Sequence, residues 1–276
     1  MNNTKLNSLL YFFLALSIGV WLYLDQKTDE PKAEKDKSFE IKEKMIDYDR
    51  YFLPYLYYAT IGDSQGANQR IDLLTDAWYM LEIELDQYKQ VAEIDENVYV
   101  AKQWLFASFD ATDDVVHQFV SIDLNRFYLM EIRRRLEVDY YLDYLWQFEA
   151  SLELVYEPAV DPMLCLLEFC ELSNLVNDLN SDWNRFKELV PEDYFLNSMG
   201  ISMTELEMEK SKLDLAIYKF NLSMETAMAD QIKIEAQELN KAYALFLKNL
   251  IYDEYIEDTD NLKGFTFEHR LFTESK

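Results

Sequence analysis

The sequence predicts an all-α protein: an N-terminal transmembrane helix followed by a bundle or short array of long antiparallel helical hairpins. Three observations carry that reading. Residues Leu6 to Leu24 contain no charged side chain. Gly and Pro occur only five times each in 276 residues, too few for the turns of an all-β chain. Through most of the remainder, apolar residues recur at spacings of three and four.

The first apolar run sets the compartment. As a helix, the 19 residues from Leu6 to Leu24 rise about 28 Å, close to the thickness of a hydrocarbon core. Tyr11, Trp21 and Tyr23 lie toward its ends, where amphipathic rings favour the interface. A core helix would show a polar stripe, and this run has none. A cleaved signal peptide competes with the anchor, since Ala15-Leu16-Ser17 and Ser17-Ile18-Gly19 are passable cleavage sites. Cleavage there would leave Val20 to Leu24 exposed on the mature end, which favours an uncleaved signal anchor. Lys27, Lys32, Lys35 and Lys37 follow the run and argue for a body held inside. A short N-terminal tail before a single apolar run is the ordinary form of a signal anchor, and long domains translocate largely regardless of charge. The expected product is a single-pass membrane protein with its body on the extracytoplasmic side.

The layout that follows is a transmembrane anchor over 1–25, a charged linker over 26–38, an acidic all-helical domain over 39–260 and a tail over 261–276. A first body helix is expected from Phe39 to Thr60, disturbed near Pro54. Ile61 to Gly66 reads as a loop. Ile71, Leu74, Trp78, Leu81, Leu85 and Tyr88 then form the clearest helical seam. Val98 to Phe109 reads as a shorter helix carrying Trp104, with Thr112 or Asp110 as the next N-cap. Asp113 to Tyr156 holds no Gly or Pro, so it is one very long helix or two, with the break at the charged knot Glu131 to Glu137.

Glu157 to Pro162 reads as a turn, with Asp161 as N-cap and Pro162 at the first helical position. Phe169, Leu172, Val176, Leu179, Trp183, Phe186 and Val190 form a second seam, and Pro191 to Gly200 an irregular connection. Ser202-Met203-Thr204-Glu205 has the capping-box pattern, and a helical region follows to about Tyr255, with a break expected near Ala227 to Asp230. A third seam, Ala236, Leu239, Tyr243, Phe246 and Leu250, matches the first two in spacing. Separations of 105 and 60 residues between the three give no fixed repeat. The 34-residue period of tetratricopeptide proteins is also missing.

The formal charge is −26. A nucleic-acid partner would require clustered Lys and Arg, so no nucleic acid is expected. Arg133, Arg134 and Arg135 form the one basic run of the body; on a helix they fan through roughly 200°, so internal ion pairing is their expected use. Cys165 and Cys170 have neither a CxxC motif nor paired histidines and are expected as buried thiols.

Tests for chemistry are mostly negative. Asp113, Asp114 and His117 share a helix face, but a capped helix start explains them without metal. Asp258, Asp260 and Gly264 depart from a calcium loop in glycine position and ligand count. No phosphate loop, nucleophile elbow or zinc-protease motif occurs. No catalytic, cofactor-binding or metal residue is therefore assigned, and the chain is not expected to be an enzyme. The one candidate contact site is Tyr252, Asp253, Glu254, Tyr255, Glu257, Asp258 and Asp260, an acidic stretch with interleaved tyrosines suited to a basic protein surface.

The leading expectation is a membrane-anchored, protein-binding helical scaffold or accessory subunit of an envelope complex, with the membrane engaged through Leu6 to Leu24. A small-ligand sensor with an aromatic pocket between helices is the alternative. An enzyme with carboxylate or metal chemistry, with acids converging in the core near His117, is the third.

Overall fold

The computed structural model describes residues 35–251, except 90–91, 113 and 162–165. Ten α-helices and no strand occur among the described residues. They are α1 (Lys35–Thr60), α2 (Ser64–Asn68), α3 (Ile71–Leu85), α4 (Asp95–Asp110), α5 (Val115–Arg135), α6 (Tyr141–Val160), α7 (Leu166–Glu188), α8 (Asp193–Met199), α9 (Met203–Thr226) and α10 (Ala229–Leu250). The predicted anchor, Leu6 to Leu24, and the tail over 261–276 lie outside the described residues. Among the described residues, no helix is long and apolar enough to cross a membrane.

Long helices pack antiparallel, as side-chain pairs running in opposite directions show. Tyr79 meets Phe106 while Glu82 meets Lys102, which fixes α3 against α4. Tyr48 pairs with Asn125 and Tyr55 with Gln118, which fixes α1 against α5. Tyr141 meets Phe186 and Ser151 meets Asp182, which fixes α6 against α7. Asn180 pairs with Asn221 and Lys187 with Asp214, which lays α9 along α7. The result is a helical bundle built from stacked hairpins around one continuous core.

All three sequence seams point into that core. Leu74, Trp78, Leu81 and Leu85 are buried in α3; Leu172, Val176, Leu179, Trp183 and Phe186 in α7; and Ala236, Leu239, Tyr243, Phe246 and Leu250 in α10. Phe148, from α6, lies between the aromatic centres of the second and third seams, 5.1 Å from Trp183 and 5.8 Å from Tyr243. The predicted break at the charged knot is real: α5 stops at Arg135, Glu137 takes φ +54°, and α6 starts at Tyr141. The capping box at Ser202 and Glu205 is formed, and the break near residue 227 falls on Ala227 at φ +51°.

Several boundaries differ from the sequence reading. The first helix starts at Lys35, inside the expected linker, because Lys35 to Lys37 hold no helix breaker. The expected loop after Ile61 contains α2, with Asp63 as its N-cap, accepting from the Gly66 amide. Gly66 is required there, since a Cβ would collide with the Tyr58 ring. α5 is capped by Asp114; Thr112 is buried and serves no cap. α6 continues through Pro158 to Val160 rather than turning at Glu157, because Ala159 is buried and Val160 packs on the core. Proline costs one backbone bond there but sits in the last turn. Asp161 is extended, as expected before a proline.

The connection predicted as irregular after Pro191 contains α8, whose Phe195, Leu196 and Met199 are buried and which ends on Gly200 at φ +65°. Val190 lies beyond α7 and is 75% exposed, so the second seam ends at Phe186. Cys170 is exposed, not buried, because it faces away from the Leu172 and Val176 stripe; Cys165 lies outside the described residues.

Candidate functional site

The predicted contact residues Tyr252, Asp253, Glu254, Tyr255, Glu257, Asp258 and Asp260 lie outside the described residues, as do Gly264 and His269. Described structure ends at Ile251, the C-cap of α10. Asn249 donates to Glu209 at 2.9 Å, so the chain leaves beside the N-terminal part of α9.

His117 is on the surface, at the start of α5. Its backbone amide donates to Asp114 Oδ1 at 3.2 Å, and its Nδ1 meets Oδ2 at 2.5 Å. These hydrogen bonds hold the Asp114 carboxyl below the ordinary carboxylate range. The pair is a helix cap on the surface, and among the described residues no core carboxylates converge on it. Among the described residues, no group of three or more His, Cys, Asp or Glu could hold a metal ion.

The polar groups that do converge lie where α1, α5 and α6 meet. Asp49 accepts from the Tyr140 hydroxyl at 2.5 Å. Arg133, 2% exposed, lies over the Tyr140 ring and donates twice to Asp143, at 2.9 and 2.5 Å. About two helix turns back along α5, Arg126 bonds Glu149 and Asp123 and lies 4.7 Å from the Trp146 ring. Burial opposes the charge on both arginines, but Glu149 beside Arg126 and Asp143 beside Arg133 raise their pKa values above the ordinary guanidinium range. Asp49 goes the other way. Burial pushes its carboxyl from 3.8 up to about 6, against the pull of Arg133 and the Tyr140 hydrogen bond. Of the basic run, Arg133 and Arg134 are paired within the chain, to Asp143 and Glu131, and Arg135 donates to the Glu93 carbonyl.

These groups are fasteners between helices. Each sits on a core stripe: Asp49 between Met45, Phe52, Leu53 and Leu56; Glu149 among Leu145, Phe148 and Leu152; Arg133 beside Leu129, Ile132 and Leu136. A charge interrupting a stripe at helical spacing was the sequence signal for them.

The best-formed cleft among the described residues opens beside that junction, between α1, the start of α6 and the connection from α7 to α8. Its volume is about 110 Å³, which suits one side chain; pockets for drug-sized molecules run to about 300–1,000 Å³. Tyr140, Tyr141, Tyr144 and Phe195 form its walls, with Asp139 and the Lys42–Glu192 ion pair, 2.5 Å long, at the rim.

A broader surface lies on α3. Leu74, Trp78, Leu81 and Leu85 face the core, while Leu73, Met80 and Ile83, each more than half exposed, form a line on the opposite side. A surface helix is ordinarily polar there. Asp72, Asp76, Glu84 and Asp86 frame the line. Asp86 is held by Lys89 and Glu84 accepts from Gln87, but among the described residues no cation pairs with Asp72 or Asp76. The arrangement is an apolar ridge in an acidic frame. The sequence reading put polar residues on that face, and the exposed Leu73, Met80 and Ile83 correct it: the regular seam drew attention to the buried stripe and left these three uncounted.

Comparison with protein families, with curated proteins and with solved structures finds no match to this chain.

Proposed function

We propose that the chain is a membrane-tethered, protein-binding helical scaffold or accessory subunit of an envelope complex, and that the outer face of α3 docks a basic amphipathic segment of its partner. The observation that carries the reading is the pairing of exposed Leu73, Met80 and Ile83 with a frame of acids on one helix. Apolar side chains supply contact area, and covering one fully contributes about 1.5–3 kcal/mol. The acids select a partner whose own ridge is edged with Lys or Arg and repel acidic competitors. Three such anchors supply about 4.5–9 kcal/mol before the cost of ordering both sides, so the contact they make is weak, no tighter than about micromolar. The uncharged run Leu6 to Leu24 supplies the tether, with the body on the extracytoplasmic side. The role is contact, not catalysis.

Two measurements test this. Full-length protein in detergent is titrated with a helical peptide bearing a Leu/Ile face edged by Lys and Arg. Binding is expected, weakening as salt rises, and abolished by Met80→Glu with Ile83→Glu. Equal binding of a peptide with Glu in place of Lys and Arg, or unchanged binding by the double variant, overturns the docking face. For the tether, alkaline carbonate washing is expected to leave the chain in membranes; its release as intact polypeptide overturns that part alone.

A further inference from the structure

Helix α9 carries a second outward apolar line, and its flanking charges have a different logic. Its inner face is made of Leu206, Leu213, Ile217 and Phe220, all buried against α7 and α10. On the opposite side lie Met208, Leu215, Tyr218 and Leu222, which are 51%, 54%, 62% and 48% exposed. Met208, Leu215 and Leu222 are seven residues apart, and Ser211 and Tyr218 each follow by three. That is the a/d spacing of a coiled-coil seam sustained for two heptads. Among the described residues nothing covers it.

The positions flanking the seam are Glu207 and Asp214 on one side and Lys212 and Lys219 on the other. Within the chain, Glu207 touches Lys210, Lys212 touches Glu209, and Asp214 meets Lys187 and the Trp183 indole. The side chains of Glu207, Lys212 and Asp214 nonetheless remain 56%, 60% and 48% exposed, and Lys219 is exposed. In a parallel helix pair, each flanking residue faces the one five positions later on the other helix. Glu207 would then face Lys212 of the second copy, and Asp214 would face Lys219 of the second copy. An antiparallel pair would set lysine against lysine and acid against acid. The ridge on α3 is edged by acids alone and lacks this self-complementarity.

We infer that the outer face of α9 is a homodimer interface, in which two copies of this chain pair their α9 helices in parallel about a two-fold axis. The pairing is isologous, so both copies bury the same strip. Two heptads cover less than the roughly 1,200 Å² of a standard stable interface, so the dimer is a weak one that forms as protein concentration rises.

The test uses the full chain in detergent with Cys165→Ser and Cys170→Ser, at tens of micromolar. Met208→Cys and Leu222→Cys are made separately and mildly oxidised. Self-cross-linked dimers from both variants are expected, because only parallel pairing brings each end of the strip against itself. Sedimentation is expected to give a dimer. Leu215→Glu should be monomeric with unchanged helical circular dichroism, Lys212→Glu with Lys219→Glu should weaken dimerisation at least tenfold, and Ile83→Glu on α3 should leave it intact. Three results would overturn the inference: no cross-link at either end, a dimer that survives Leu215→Glu, or a monomer whose introduced thiols are shielded by its own residues 252–276.

Discussion

Asp49 shows what a single carboxylate does inside this bundle. Its carboxyl titrates near 6 in the fold against 3.8 in the ordinary state, because burial outweighs the help of Arg133 and Tyr140. Between those two values the folded chain holds a proton that the unfolded chain has released. Stability therefore falls as pH rises through that window, and the deficit persists above it. A shift of about two pKa units corresponds to about 3 kcal/mol. Asp49→Asn keeps an oxygen to accept from Tyr140 and removes the buried charge. The variant is expected to be about 2–3 kcal/mol more stable at pH 8 and to lose the slope between pH 4 and 6. Urea midpoints measured across that range check this; an unchanged slope would assign it to another group. The acid was legible only as an interruption of the Met45–Phe52–Leu56 stripe. That the interruption is met by the Tyr140 hydroxyl and by the field of Arg133, both more than 80 residues away, is a tertiary fact that no local pattern encodes.

At the level of elements, the long helices were readable because each carries an apolar stripe over several turns. α2 and α8 were not, since five and seven residues are too few to establish a period. Pro158 misled for a related reason: local propensity marks it as a stop, while the burial of Ala159 holds the last turn together. α9 shows a different limit. Apolar lines on two opposite sides of one helix blur its periodicity, so the sequence discloses a helix but not which side stays open. The α9–α10 turn depends on Ala227, which takes φ +51° as the C-cap of α9. A left-handed conformation costs a residue with a Cβ about 1 kcal/mol. Ala227→Gly is expected to stabilise the protein by about 0.5–1 kcal/mol, read as a shift in the denaturation midpoint at unchanged slope. A loss of stability would mean that the alanine methyl packs in a way that outweighs the strain.

For the molecule as a whole, the all-helical class followed from the scarcity of Gly and Pro and from apolar residues recurring at spacings of three and four. That α1 sits at the centre was not legible, because it is less apolar in sequence than α6 or α10. The structure puts α1 against α3, α5, α8 and α10. Through it, the first hairpins and the last share one core. The described residues should therefore unfold as one cooperative unit. Hydrogen exchange in rising urea is expected to give α4 and α7 amides the same midpoint; separate midpoints would divide the chain into two folding units.

Helix α1 also decides how the body would answer a mechanical pull from its N-terminal side. Tension entering at Lys35 runs down a helix tied along its length: Lys42 to Glu192, Asp47 to Tyr194, Tyr48 to Asn125, Asp49 to Tyr140 and Tyr55 to Ser108. Such ties are strained together, in shear, rather than opened one after another as a zip. A chain drawn from that end resists at its most interconnected helix, while its outer faces keep their shape.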